Sequence, residues 1–187
     1  DEVEIICIND HSTDQSLKII SSYKKIKTYS SLMHGLSASR NCGIKNSRGR
    51  FIWFIDADDE LCGNNINMDF IEQLKYSNSE LFLLGVEKKA IKGKNKYLIN
   101  KANGTYNFHK DCKEIRRLFK DNIINNSWNK LYKREIIINN DLFFDNVSSV
   151  EDILFNCKYL AVVNQITTIS KLLYIYYIYY QMELAGG

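Results

Sequence analysis

Short apolar runs alternate with amphipathic stretches over the first half of the chain, and that alternation predicts an α/β layer. Residues 3–9 (VEIICIN) form an apolar run of buried-strand length. Ser12-Thr13-Asp14-Gln15 follows with the spacing of a capping box, Ser12 as N-cap and Gln15 at the third helical position. Leu17, Ile20 and Tyr23 then recur at helical spacing. Residues 26–30 read as a second strand, and 35–46 as a helix with Leu36, Cys42 and Ile44 turned inward. Residues 51–55 (FIWFI) are apolar throughout, as expected of a strand covered on both faces. A helix over 68–76 and a strand over 81–86 complete an order that implies a largely parallel sheet.

Beyond residue 87 the pattern loosens. Residues 87–104 are polar and rich in Gly, Lys and Asn, which predicts a hairpin or mobile loop. Residues 112–119, 134–138 and 152–161 read as short helices, and 166–180 as two strands or a strand and an edge. No internal repeat and no linker interrupts the chain, so residues 1–187 are read as one domain with two functional halves, 1–86 and 87–187.

Composition narrows the function classes. The 187 residues suit one domain, and 45% hydrophobic with 25% charged is the balance of a folded globular protein. A net charge of +3, with scattered lysines and no basic stripe, gives no footprint for nucleic acid. Five cysteines without a CxxC or a Cys/His cluster argue against a zinc site and against a disulfide framework, and fit a reducing, cytoplasmic setting. The longest apolar stretch, residues 172–180, has nine residues and five tyrosines, about half the ~20 residues of a membrane span. No signal peptide opens the chain.

The candidate chemistry is acidic. Asp10 follows the first strand, and Asp56-Ala57-Asp58-Asp59 follows the FIWFI strand. Ligands of open α/β sheets bind outside the carboxyl ends of the strands, so parallel strands would bring both groups to one edge. Three carboxylates within four residues repel one another unless a cation sits among them; a hard divalent ion, Mg²⁺ or Mn²⁺, would serve and would also bind phosphates. An acidic loop capping the next helix, and a plain turn residue at Asp10, are the alternatives.

Four segments occur in one order: IICINDHSTDQS, HGLSASRNCGIKNSRGRFIWFIDADDEL, SWNKLYKREII and FFDNVSSVEDILF. Together they resemble the inverting family 2 glycosyltransferases of the GT-A fold, especially bacterial enzymes of capsule, exopolysaccharide or lipopolysaccharide synthesis, over residues 3 to 180. The resemblance implies a Rossmann-like, mostly parallel mixed sheet flanked by helices. It implies a nucleotide-diphosphate sugar donor, with a UDP-sugar favoured, and a glycan or lipid-linked acceptor. It casts Asp10 as hydrogen-bond acceptor for the base of the nucleotide, and Arg40 and Asn41 as braces of the nucleotide side. Asp56-Ala57-Asp58 matches the DxD motif, Asp56 near ribose and metal and Asp58 on the metal, Mn²⁺ or Mg²⁺. Asp152, in the Glu151-Asp152 pair, matches the catalytic base, although such a pair also suits the dipole of a helix it opens. Trp128 and Glu151 are candidates for the acceptor side, with core packing as the default for Trp128.

The departures from the family pattern carry expectations of their own. His11 stands where Gly is commoner and His34 where Asn is; these two and His109 read as structural or exposed. The QxxRW signature of processive synthases is absent, which favours transfer of single sugars. The family's first strand–helix unit has no counterpart here, and its strand belongs between those ending at Asp10 and Asp56. The chain also stops short after its tyrosines. It therefore reads as a fragment, expected alone to be poorly stable and inactive. A lipid-linked acceptor would place the protein at the inner face of the membrane, with the tyrosine-rich tail (Tyr174, Tyr176, Tyr177, Tyr179, Tyr180) as a contact or simply an aromatic strand.

Three other readings compete with this one. A haloacid-dehalogenase-like phosphohydrolase would use Asp56 as nucleophile and Asp58 as acid/base. That family wants Thr or Val two positions after the second Asp, where this chain has Glu60. A phospho-accepting receiver module leaves residues 120–180 unexplained. A truncated remnant that only binds nucleotide is the third.

Overall fold

The computed structural model describes residues 2–90, 96–99, 103–120 and 125–178, with only the backbone described over 96–99. The strands are β1 (Ile5–Asn9), β2 (Ile26–Ser30), β3 (Phe51–Trp53), β4 (Glu60–Leu61), β5 (Leu81–Ala90), β6 (Lys96–Ile99), β7 (Gly104–Asn107), β8 (Lys130–Lys133) and β9 (Gln165–Ile178). The helices are α1 (Ser16–Ser21), α2 (Leu36–Asn46), α3 (Met68–Tyr76), α4 (Cys112–Lys120), α5 (Arg134–Asn139) and α6 (Glu151–Leu160).

β1 and β2 pair in parallel as a two-stranded sheet, Ile5 opposite Ile26 and Asn9 opposite Ser30. The crossover helix α1 starts later than predicted, and the Ser12 capping box does not form. Its N-cap is Gln15, without a side-chain bond. Asn9 Oδ1 instead accepts the Ser12 N–H (3.2 Å) and Asp14 Oδ1 the Ser16 N–H (2.8 Å). Short polar side chains here bind backbone donors in turns that compete with a helical start.

The larger sheet has the order β3-β8-β5-β9-β4, with β6 on β5 and β7 on β9. Its only parallel pair among the described residues is β5–β9; β3–β8, β8–β5, β9–β4, β5–β6 and β7–β9 are antiparallel. The sheet is mixed as expected but not mostly parallel. Alternation in the first half is a guide to those strands alone; of the strands from beyond residue 87, β9 runs parallel to β5, whereas β8 inserts with the opposite sense between β3 and β5.

β5 is the strand most fully covered on both faces. Leu81 and Leu83 join a core with Ile44, Ile52, Phe54, Tyr132, Phe155 and Tyr159, while Phe82 and Leu84 join a second with Phe70, Leu131, Ile169 and Leu173. The FIWFI run is shorter as a strand than predicted. Ile52 and Phe54 are buried, Phe51 and Trp53 half-buried, and Ile55 is exposed where the chain leaves the sheet for the acidic loop. At Gly85 the β5–β9 register shifts. A Cβ there would lie 2.6 Å from the Ser170 carbonyl oxygen, so the close strand approach requires glycine.

The predicted hairpin exists, β5 running on to Ala90 and β6 returning beside it. Residues 91–95 and 100–102, part of that segment, lie outside the described residues, as do Tyr179, Tyr180 and the remaining C-terminal residues. The tail forms one long strand up to Ile178 rather than two. On α2 the inward face is Ser37, Arg40 and Ile44, at helical spacing; Leu36 is half exposed. Among the described residues no helix is long and apolar enough to cross a membrane.

Candidate active site

Four segments meet at the end of β3: α2, the loop after β3, the start of α6, and β9. α2 turns Arg40 inward with a side chain only 6% exposed. Its guanidinium donates to Asp56 Oδ1 (3.1 Å), to Glu151 Oε1 (3.2 Å) and to Asp152 Oδ1, and it lies over the Phe144 ring. One planar cation thus faces three carboxylates, a geometry a fork of five N–H donors suits and a lysine does not. The cluster keeps an excess of negative charge.

The acidic loop divides its carboxylates. Asp59 is drawn inward, accepting from the Tyr174 hydroxyl (2.6 Å) and the Tyr177 N–H (2.9 Å). The same Tyr174 hydroxyl accepts the Asp56 N–H (3.3 Å), so one side chain of β9 straps the loop at two points. Burial raises Asp56 above the usual carboxylate range, with Arg40 pulling the other way; burial also raises Asp59, against its two hydrogen bonds. Ala57 and Asp58 are exposed at the tip, and Asp58 has no hydrogen bond or ion pair among the described residues. Asp58 and the second oxygen of Asp56 are therefore free oxygen donors, a set that fits a hard divalent cation whose remaining positions are filled by phosphate and water.

Val150, immediately before Glu151 and Asp152, sits at φ +62. A β-branched residue in the left-handed region is strained, and its place here puts that strain at the carboxylate pair. Asp152 Oδ2 accepts the Ser127 N–H (3.0 Å). Close by, Lys130 is fully buried, its ammonium donating to the Asn126 carbonyl and to Asn129 Oδ1 (2.7 Å). Burial pushes it down to about 7, with Asp152 acting in the opposite direction.

Asp10 lies at the N-terminal end of α2, about a turn before Arg40. It accepts from the Ser31 hydroxyl (3.0 Å) and the Gly35 N–H (2.9 Å), and the Gly35 bond leads the causes that lower it below the usual carboxylate range. Gly35, at φ +112, makes the turn that presents this N–H. α2 is thus the physical link between Asp10 and the Arg40 cluster.

Arg40, Asp56, Glu151 and Asp152 are brought into one cluster, with Ala57 and Asp58 beside it. Asn41 points elsewhere, exchanging two 2.9 Å bonds with the backbone of Phe144, and so holds the segment before α6 against α2. Trp128 is 4% exposed and stacks on Tyr174 and Tyr176, with ring centroids 5.1 and 4.9 Å away. Packing accounts for its position, and no open face is left for a sugar. Ser127, Lys130 and Tyr174 are site neighbours that sequence reasoning missed; nothing in the tyrosine-rich tail signals which ring reaches the acidic loop.

A mixed sheet with helices on its faces and an acidic loop after β3 defines the GT-A fold, and solved structures share it. The structure of Staphylococcus aureus TarS 1–349 in complex with UDP-GlcNAc matches with a TM-score of 0.78 at 22% identity, over 100% of this chain and 52% of that one. The sequence pattern of glycosyl transferase family 2 matches residues 1–140, and the chain belongs to that family. EpsH of Bacillus subtilis, named as a glycosyltransferase, is 32% identical over 96% of this chain and 53% of its own. The poly(ribitol-phosphate) β-N-acetylglucosaminyltransferase TarS is 26% identical over 94% of this chain and 30% of its own. The chain thus spans about half or less of these relatives. Family membership sets aside the phosphohydrolase and receiver readings.

Proposed function

We propose that this chain is the donor-binding and catalytic part of an inverting glycosyltransferase that uses a nucleotide-diphosphate sugar. The observation that carries the reading is the convergence of Arg40 on Asp56, Glu151 and Asp152 beside an acidic loop with free oxygen donors. A UDP-sugar is the favoured donor, in keeping with the UDP-GlcNAc held by the TarS structure. The acceptor is a glycan or a lipid-linked sugar, and the work is done at the cytoplasmic face of the membrane.

Asp10 accepts a hydrogen bond from the base of the nucleotide, as an ionised carboxylate that is acceptor-only at neutral pH. Asp58 and Asp56 would hold Mn²⁺ or Mg²⁺, which when bound supplies charge neutralisation for the departing diphosphate. Asp152 takes the proton of the acceptor hydroxyl as that oxygen attacks the anomeric carbon. The new C–O bond forms on one face while the bond to the diphosphate breaks on the other, and the anomeric centre inverts. Arg40 and the Ser127 N–H orient Asp152, and Glu151 borders the acceptor side.

Asp152→Asn in the full-length protein tests this. Loss of general-base catalysis should lower the transfer rate by about 10²–10⁴-fold, while UDP binding, followed calorimetrically, is retained. Wild-type transfer by a folded Asp152→Asn protein would remove Asp152 from the role.

A further inference from the structure

We infer that Asp10, His11 and His34 form a second cation site, for Zn²⁺ or a chemically similar transition metal, at the N-terminal end of α2. The spacing of histidines along the sequence argues against such a site, but the fold brings His11 and His34 together. One ligand atom from each of the three residues can be chosen so that all lie within 4.8 Å of one another. A tetrahedral zinc ion with bonds of about 2.0–2.1 Å has its donor atoms about 3.3 Å apart. All three residues are exposed, so their side chains can rotate to close that difference, the two rings unstacking to turn their in-plane nitrogens onto one ion, without moving the core.

The chemistry of the donors selects the metal. Two imidazoles and one carboxylate leave a fourth position for water, and imidazole favours zinc, copper and nickel over magnesium. The site is therefore chemically distinct from the oxygen-only set of Asp56 and Asp58. The two rings stack with centroids 3.9 Å apart and planes 30° from parallel, and neither imidazole has a hydrogen-bond partner among the described residues. Both are thus available as ligands. The carboxylate is oriented from behind by the Gly35 N–H and the Ser31 hydroxyl, the kind of outer support that fixes a metal-binding group. His11 sits at φ +55, a backbone turn that histidine tolerates better than most residues.

One consequence rests on the function proposed above. Asp10 cannot serve a cation and the base of the nucleotide at once, so metal and donor compete, and micronutrient metal acts as a brake on donor binding.

The test is titration of the purified full-length protein with Co²⁺, read by its visible d–d absorption, and with Zn²⁺, read by calorimetry. The expected result is one site of tetrahedral character that His11→Ala and His34→Ala each weaken by at least about tenfold. Thiolate-to-cobalt charge-transfer absorption that persists in both histidine variants would assign the binding to cysteine and overturn the proposal. Absence of binding in a protein that still binds UDP would overturn it too. UDP should displace the Co²⁺; a cobalt site that needs both histidines but ignores UDP would uphold the metal site and remove Asp10 from base recognition.

Discussion

Arg40 faces Asp56, Glu151 and Asp152 from a helix that the sequence predicts, yet its partners are not readable from the sequence. Asp152 is separated from it by 112 positions. Asp10 and Asp56 are legible because each ends an apolar run, where an open sheet exposes its chemistry. Arg40 itself falls on the buried face of α2, a position that apolar spacing assigns to a hydrophobe. Removing it would leave three carboxylates around a space without a cation. Arg40→Ala should therefore destabilise the fold by about 3–5 kcal/mol, the cost of breaking a buried pair from one side. Arg40→Lys should recover only part of this, because an ammonium cannot span the three acceptors. Urea unfolding of the two variants measures both, and equal stability of Arg40→Ala and wild type would contradict the assigned role.

β8 shows at the element scale why the second half resists reading. Its sequence, Lys-Leu-Tyr-Lys, carries a charge at both ends and has no strand-like run, yet Lys130, Leu131 and Tyr132 are all buried. Lys130 is tolerated because side-chain and backbone oxygens receive its ammonium, contacts the hydrophobic pattern does not encode. The same burial makes β8 sensitive to pH. Lys130 titrates at about 7 in the fold against an ordinary value of 10.5, so between these the unfolded chain holds the extra proton. Stability should then rise with pH from about 7 towards 10 as the burial penalty of the charged form is relieved. Lys130→Met should flatten that rise, measured as urea midpoints at about pH 7 and pH 9. An unchanged slope in the variant would show that Lys130 is not the group responsible. By contrast, β2 and α3 match their predicted bounds, since their periodicity and flanking residues agree with where they pack.

At the scale of the molecule, the two sheets are joined by side chains more than by strands. Among the described residues β1 and β2 form no ladder with the larger sheet. Glu4 instead accepts the backbone N–H groups of Arg48 and Gly49 at the turn before β3, and Asn41 ties α2 to Phe144. The order of four motifs carries the family and hence the fold class, because each motif marks a strand end or helix start that the fold needs. The sense of the later strands is invisible in the same sequence, since antiparallel insertion leaves no local mark. Under the proposed function this joint, with Asp10 at the start of α2 and Arg40 about a turn further along facing the acidic loop, binds a nucleoside diphosphate together with a divalent cation. Thermal unfolding of the full-length protein with UDP and Mn²⁺, against UDP with EDTA and against GDP or dTDP, tests it most directly. Ligand at 100 times its dissociation constant should add about 2.7 kcal/mol of stability. UDP should give this gain only with metal present, and Asp58→Ala should abolish it. No stabilisation by any of the three nucleotides, or an equal gain in Asp58→Ala, would contradict it.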